Sequence, residues 1–385
     1  MLIVDSHLDL SWNALQWNRD LRLSALTLRN QERGLKITNP GSGLGLGTVA
    51  FPEMRRGRLA LSFATLLVRN TGRMSPHIDY LSTAQAYGIA QGQLAYYREL
   101  AQEGIVRLVG DAATLSRHMA EWEAWDAAAS ADAGASIDAG ADADPASAPA
   151  VLPLAPPPLG FVISMESADS IPSPDRLAEF WDAGVRVIGP AHYGPGRYAG
   201  GTGTELGLTN IGIALLDEMA RLGVILDLTH FSDESFWQAL NRFPGPVLAS
   251  HNNCRALVSA QRQFSDEQIR AIIARDGVIG VMLDVAMLNL GWRVGSGADS
   301  GVPLVKVIDH IDHICQLAGS ARHVAIGSDL DGGYGREQSP NDLDTIADLQ
   351  QVGPMLAARG YAPADIAAIM HGNWVALLGR AWGGG

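Results

Sequence analysis

Residues 224–251 contain the pattern that decides the fold, beginning Val224-Ile-Leu-Asp-Leu-Thr-His230 and ending Pro246-Val-Leu-Ala-Ser-His251. Each end of this stretch is a short apolar segment with a histidine directly after it, and an amphipathic helical pattern lies between the two. Parallel strands need such a crossover, because a two-residue turn cannot join them. The stretch therefore predicts a strand, a helix and a second strand, with a polar residue at the end of each strand.

The same unit recurs along most of the chain. The predicted strands cover residues 2–4, 59–68, 160–165, 185–190, 224–229, 246–250, 277–283 and 323–327. Eight strands with helical segments between most of them predict a closed (β/α)8 barrel of the triosephosphate isomerase type. A doubly wound open sheet is the structural alternative, but it would spread the polar strand ends along a crevice instead of gathering them at one mouth.

Composition changes abruptly between residues 127 and 158, which are almost entirely Ala, Asp, Gly, Ser and Pro. Such a segment has too little large apolar surface to offset the entropy that it would lose on ordering. We predict a disordered insertion there. Because the strand and helix pattern continues on both sides of it, we expect residues 1–385 to form a single domain.

Charge and cysteine content exclude several classes of protein. A net charge of -13 argues against nucleic-acid and anionic-membrane partners, which bind through clustered Lys and Arg. The two cysteines, Cys254 and Cys315, are too few for a disulfide framework or a thiolate zinc site. The sequence shows neither a signal-peptide pattern nor an apolar stretch long enough to span a bilayer, so we expect a cytoplasmic protein.

Residues that bind metals or move protons follow the predicted strands. In strand order they are His7 and Asp9, Glu166, His192, His230, His251 and Asp329. A single histidine at a strand end is usually structural, but that explanation is implausible for the whole set. Imidazole and carboxylate without thiolate form the ligand set of a catalytic zinc or similar divalent ion. Two histidine-rich halves joined by one glutamate suggest two metals about 3.5 to 4 Å apart. His310 and His313 fall within a predicted helix, and we interpret them as structural.

These segments resemble the membrane dipeptidase (renal dipeptidase) family, peptidase family M19, within the amidohydrolase superfamily. The resemblance rests on Asp5-Ser-His7-Leu-Asp9-Leu, Met165-Glu166, Leu226-Asp-Leu-Thr-His230-Phe-Ser, Ser250-His251-Asn-Asn, Arg262 and Ile326-Gly-Ser-Asp329-Leu-Asp331-Gly. It covers nearly the whole chain outside residues 127–158. The combination and order of these segments are specific, whereas each segment alone is weak.

The resemblance implies a dipeptidase with two Zn²⁺ per chain. By that resemblance His7 and Asp9 bind the first ion, and Glu166 bridges both. His230 and His251 are implied to bind the second ion. A water shared by two divalent ions becomes acidic enough to act as hydroxide near neutral pH. Other divalent ions could take the same ligands.

The resemblance also assigns residues to the substrate. It implies that His192 and Arg262 contact the dipeptide and that Asp329 handles the proton. Chemistry agrees, because an imidazole can donate to the carbonyl oxygen and a guanidinium can hold a terminal carboxylate through two hydrogen bonds. Asp331 is the rival of Asp329, and we choose Asp329 because it follows the apolar strand more closely. The resemblance further suggests tolerance of a D-residue at the C-terminal position, and a homodimer.

Two alternatives to a dipeptidase stay open. Another amidohydrolase could use the same site, such as an N-acyl amino acid deacylase or a lactam hydrolase. The difference lies in recognition of a free amino terminus, which the sequence does not reveal. A metal-free binding or scaffold protein could also keep the barrel, but the presence of every predicted ligand disfavours it.

Overall fold

The computed structural model describes residues 1–35, 43–75, 77–138, 155–293 and 300–383. The strands are β1 (Ile3–Leu8), β2 (Leu59–Leu67), β3 (Val106–Leu108), β4 (Leu159–Glu166), β5 (Val185–Gly189), β6 (Ile225–Asp227), β7 (Val247–Leu248), β8 (Ile279–Val281) and β9 (Val324–Ile326). The helices are α1 (Leu10–Gln16), α2 (Ala25–Glu32), α3 (Phe51–Arg56), α4 (Thr83–Gln102), α5 (Ala112–Asp138), α6 (Leu177–Asp182), α7 (Asn210–Leu222), α8 (Asp233–Arg242), α9 (Asp266–Ala274), α10 (Val305–Ala318), α11 (Val352–Arg359), α12 (Pro363–Ala367) and α13 (Asn373–Gly383).

Eight of these strands form a parallel barrel. Hydrogen-bonded neighbours follow the order β7-β6-β5-β4-β2-β1-β9-β8. The ring closes between β7 and β8, where Ala249 pairs with Ile279 and the Gly280 N–H donates to the Ala249 carbonyl at 2.8 Å. The short strand β3 lies outside the ring and pairs with β4. The predicted (β/α)8 barrel is confirmed, and the open sheet considered as its alternative is wrong.

Burial explains why the strands are uniformly apolar. Every residue of β1, β2 and β4 is buried, as expected for parallel strands covered by helices on one side and by the barrel interior on the other. In the barrel interior, a Cβ on Gly280 or Gly327 would overlap the carbonyl oxygen of Ser250. The Ser6 hydroxyl donates to that same carbonyl at 2.5 Å. Small residues therefore bring the strands close together beneath the mouth that carries the polar residues.

Helix α5 differs from the prediction. It continues to Asp138, so residues 127–138 are helical where a disordered insertion was predicted. Alanine is the residue with the highest helix propensity, and an alanine-rich extension of an existing helix adds one hydrogen bond per residue. Residues 139–154 lie outside the described residues. The rest of the insertion, and the assignment of the chain to a single domain, stay predictions.

The described ranges contain no helix that is both long and apolar enough to cross a membrane. Cys254 and Cys315 are both buried and form no disulfide bond.

Three helices, α1 to α3, lie between β1 and β2. The sequence has no clear periodicity there.

Candidate active site

The residues singled out in the sequence lie together at the carboxyl ends of the barrel strands. His230 and Asp329 each follow a strand closely and have left-handed backbone conformations, with φ of 66° and 57°. Such a conformation costs a non-glycine residue about 1 to 3 kcal/mol and is concentrated at functional sites. Both side chains line one cavity of about 170 Å³. The backbone is thus strained at two residues whose polar side chains line this cavity.

Glu166 stands at the centre of the site, at the end of β4. Its Oε2 lies 3.5 Å from His7 Nε2. Its Oε1 lies 3.0 Å from His230 Nε2 and 3.3 Å from His251 Nε2. The two oxygens of one carboxylate therefore face different histidines, and this divides the site into two parts that share Glu166.

We name these parts by their chemistry. The carboxylate-rich group consists of His7, Asp9 and Glu166, and the histidine-rich group consists of Glu166, His230 and His251. Within each group the three candidate ligand atoms lie within 4.8 Å of one another. The Nε2 atoms of His230 and His251 are 3.2 Å apart. Two imidazole nitrogens on one tetrahedral zinc would be separated by roughly 3.3 Å.

Unpartnered polar atoms indicate that these groups fit cations. His7 Nε2 and Asp9 Oδ1 are buried and have no hydrogen-bond partner. His7 Nε2 lies 3.8 Å from both Asp9 Oδ2 and Asp329 Oδ1, too far for a hydrogen bond. Buried polar atoms normally have partners, and buried carboxylates need positive charge nearby. The donor set, the separations and the surplus of carboxylate all fit divalent metal ions.

The histidine-rich group is oriented from behind by hydroxyl groups. Thr202 Oγ1 donates to the His230 carbonyl at 3.2 Å and lies 3.1 Å from His230 Nδ1. Because its single proton is used on the carbonyl, this hydroxyl accepts from Nδ1–H, which leaves Nε2 as the unprotonated nitrogen. Ser250 Oγ lies 2.9 Å from His251 Nδ1. Both imidazoles therefore turn Nε2 towards Glu166.

Histidine protonation differs between the two groups. At His7, burial opposes the charged form, but the carboxylates of Glu166 and Asp9 outweigh it and hold the pKa well above its usual range. At His230 and His251, burial lowers the pKa well below its usual range, and nearby positive charge, including Arg262, lowers it further. The histidine-rich group therefore presents neutral imidazoles, the form that binds metals.

Arg262 and His192 flank these groups. Arg262 is buried, with Nη1 donating to Asn252 Oδ1 and Nη2 donating to the His251 carbonyl at 2.9 Å. Its Nε is buried and has no hydrogen-bond partner. His192 Nε2 lies 3.6 Å from Glu166 Oε1, and burial lowers the pKa of His192 well below its usual range. Both side chains line the cavity.

Asp329 and Asp331 have different surroundings. Asp329 is 13% exposed, lines the cavity, and lies beside His7. Burial raises its pKa well above the usual value, and the carboxylates of Glu166 and Asp9 add to this while His7 opposes it. Asp331 accepts hydrogen bonds from the N–H and hydroxyl groups of Thr48, at 2.7 to 2.9 Å, and from Val49 N–H. Its carboxylate therefore holds a loop, and Asp329 is the aspartate available to a ligand.

Several side chains at the cavity were not expected from the sequence. They are Tyr193, Met282, Asp284, Tyr334 and Gln338. They lie in the connections after β5, β8 and β9, where no periodic pattern indicates which side chains face inward. Trp12, which is expected there because it lies close to the His7 and Asp9 motif, also lines the cavity. The two helical histidines interpreted as structural have other partners, since His310 Nδ1 accepts from Cys254 N–H and His313 pairs with Asp266.

Comparisons with known proteins identify the family of this chain. The family profile described as membrane dipeptidase (peptidase family M19) matches residues 157–381. An uncharacterised protein in the pqqA 5′ region of Klebsiella pneumoniae is 33% identical over 233 residues, which cover 58% of this chain and 83% of the relative.

Two solved structures share the fold. The first is a dipeptidase described as a metallopeptidase of family M19, with 24% identity, a TM-score of 0.73, and coverage of 100% of this chain and 99% of its own. The second is a metallopeptidase from Rhodobacter sphaeroides liganded with a phosphinate mimic of the dipeptide L-Ala-D-Ala. It has 22% identity, a TM-score of 0.73, and coverage of 99% of each chain. At these identities the two structures establish the common fold.

Proposed function

The chain belongs to the membrane dipeptidase family, peptidase family M19, and is thus a metal-dependent peptidase; we propose that it hydrolyses the peptide bond of dipeptides. The observation that carries this proposal is the position of Glu166, whose two oxygens face the two ligand groups. We further propose that each group holds one divalent ion, with Zn²⁺ favoured by imidazole and carboxylate ligands. Bound divalent ions supply the Lewis acidity that makes water a usable nucleophile near neutral pH.

Arg262 is proposed to hold the C-terminal carboxylate of the substrate. Its guanidinium is fixed by Asn252 and by the His251 carbonyl, so it is preorganised and needs little further ordering. Its buried, unpartnered Nε is a donor that a carboxylate can satisfy. A clamp of this kind, next to the ligand groups, would require a free carboxyl terminus one residue beyond the scissile bond, and this favours dipeptides.

His192 and Asp329 are proposed to act on the reacting atoms. His192 is neutral and can donate an N–H hydrogen bond to the carbonyl oxygen as negative charge develops there. Asp329, as the carboxylate, accepts a proton from the attacking water and returns it to the departing amine, so the carboxylate is regenerated in each cycle. Burial raises the pKa of Asp329, and this suits the exchange because a carboxylate with a raised pKa is a stronger base.

Tolerance of a D-residue is the finer part of the proposal. The structurally similar Rhodobacter sphaeroides protein carries a phosphinate mimic of L-Ala-D-Ala. This supports the proposal that the present chain also cleaves dipeptides with a C-terminal D-residue. The homodimer and the cytoplasmic location expected from the sequence stay predictions, and sedimentation of the purified protein would check the first.

The test combines metal analysis with a substrate panel. The panel contains L,L-dipeptides, L,D-dipeptides, N-acyl amino acids and a dipeptide amide, which lacks the terminal carboxylate. We expect two divalent ions per chain, cleavage of both dipeptide classes, and a loss of about a hundredfold in kcat/KM for the amide. Fewer than two ions at saturation would contradict the paired metal groups. Cleavage of N-acyl amino acids without cleavage of dipeptides would favour the deacylase alternative.

A further inference from the structure

Asp284 is a buried carboxylate at the cavity that neither ligand group includes. It follows β8, and its Oδ1 accepts hydrogen bonds from Ala286 N–H at 2.8 Å and from Gln338 Nε2 at 2.9 Å. Burial raises its pKa to about 6, so the carboxylate is ionised at neutral pH. A buried negative charge with two neutral donors is undercompensated, and a cationic partner would stabilise it.

The segment that carries Asp284 is tied to the segment that carries Arg262. Asn253 donates to the Met282 carbonyl at 3.1 Å and accepts from Met282 N–H at 3.0 Å. Gln263, the residue after Arg262, donates to the Met287 carbonyl at 2.7 Å. These bonds join the loop after β7 to the loop after β8. The positions of Arg262 and Asp284 relative to each other are therefore fixed.

Arg262 and Asp284 do not form an ion pair, although burial, which raises the pKa of Asp284, is partly opposed by the positive charge of Arg262. Both line the same cavity, yet no ion pair within 4.0 Å joins them among the described residues. Each is held by its own set of hydrogen bonds, so both charges remain available to a ligand. Tyr334, which lines the same cavity, also has a buried hydroxyl without a hydrogen-bond partner. A cation, an anion and a free hydroxyl around one cavity are complementary to a ligand that carries both charges.

We propose that Asp284 binds a basic side chain on the C-terminal residue of the substrate, so that dipeptides ending in lysine, ornithine or arginine are preferred. The proposal rests on the proposed function, in which Arg262 holds the C-terminal carboxylate. The carboxylate and the side chain of the C-terminal residue are attached to the same carbon atom. When Arg262 binds the carboxylate, the side chain is therefore within reach of Asp284. The substrate carboxylate neutralises Arg262, and the basic side chain then neutralises Asp284.

The experiment compares Ala-Lys with Ala-norleucine, whose C-terminal side chain is apolar and uncharged. For the metal-loaded wild type we expect kcat/KM to be roughly tenfold higher for Ala-Lys. In Asp284→Asn this ratio should fall to about 1, and Asp284→Glu, which keeps the charge, should retain part of it. Glu205→Gln, which removes an exposed acid, is the matched control and should keep the wild-type ratio.

Several outcomes would overturn the proposal. If the wild type cleaves Ala-Lys and Ala-norleucine with the same kcat/KM, the proposal is contradicted before any variant is measured. An equal loss for both substrates in Asp284→Asn also contradicts it, because Asp284 would then recognise the α-ammonium group that both substrates carry. Calorimetric binding of free lysine and free norleucine separates this proposal from the peptidase activity. If no dipeptide is cleaved but lysine binds more tightly and Asp284→Asn removes that difference, the basic subsite stands and the proposed function fails.

Discussion

The two ligand groups share Glu166 but differ in the charge around their histidines. In the carboxylate-rich group, Glu166 and Asp9 hold the pKa of His7 above its usual range. In the histidine-rich group, burial and positive neighbours keep both imidazoles neutral, and hydroxyl groups fix their orientation. The surroundings thus favour the protonated form of histidine in one group and the neutral, metal-binding form in the other. One half of the site must release a proton to bind a metal, whereas the other half is already in the binding form.

The largest effect should follow from removing the charge that the two groups share. Glu166→Gln keeps the size of the side chain but weakens both groups, so we expect both ions to be lost. Activity towards a dipeptide should fall by more than about ten thousandfold. Metal content by mass spectrometry and kcat/KM measure this, with the exposed Glu179→Gln as the control. A Glu166→Gln protein with two ions would show that the groups do not share this residue.

The next effect should separate proton transfer from metal binding. Asp329→Asn should lower kcat by about a thousandfold, because an amide cannot carry the proton, while the metal content stays near the wild-type value. Asp331→Asn should instead lower the free energy of unfolding by about 2 kcal/mol, since its carboxylate holds Thr48 and Val49. Chemical denaturation and steady-state kinetics measure the two effects. If Asp331→Asn lost turnover and Asp329→Asn did not, the assignment would be reversed.

The strands and the residues directly after them could be predicted from sequence, because buried parallel strands are continuous apolar runs and the chain leaves each run at the mouth of the barrel. The short strand β3 was missed, since a segment of three residues is too short to show an alternation of apolar and polar residues. The Ala-rich composition was interpreted as disorder, although alanine also extends a helix such as α5. Asp284 and Tyr334 were missed because which loop side chains face a cavity depends on contacts between distant segments.

The pH dependence of metal binding should distinguish the groups. The variant His230→Ala removes a ligand of the histidine-rich group and keeps the carboxylate-rich group intact. The variant His7→Ala does the reverse. Because the pKa of His7 is raised, a proton competes with metal there below that pKa, and affinity should rise by about tenfold per pH unit. The histidine-rich group should change much less between pH 6 and 8, since its imidazoles are already neutral. Isothermal titration with zinc at both pH values measures this, and equal slopes would remove the distinction.

The smallest effect should come from the hydroxyl behind His230. Thr202→Val keeps the shape but removes the group that fixes the tautomer, so zinc affinity of the histidine-rich group should fall by about tenfold. Thr204→Val is the matched control, because the Thr204 hydroxyl bonds to the Gly201 carbonyl and not to a histidine. Competition with a chelator reports the affinity. An unchanged value in Thr202→Val would mean that packing alone orients His230.

Anomalous diffraction at the zinc edge can show whether Glu166 is shared by two metal sites. Crystals of the zinc-loaded wild type should give two peaks about 3.5 to 4 Å apart, one on each side of Glu166. Crystals of His7→Ala should keep only the peak beside His230 and His251. A single peak in the wild type would show that Glu166 does not join two metal sites, and two peaks in His7→Ala would show that His7 is not needed to hold the first ion.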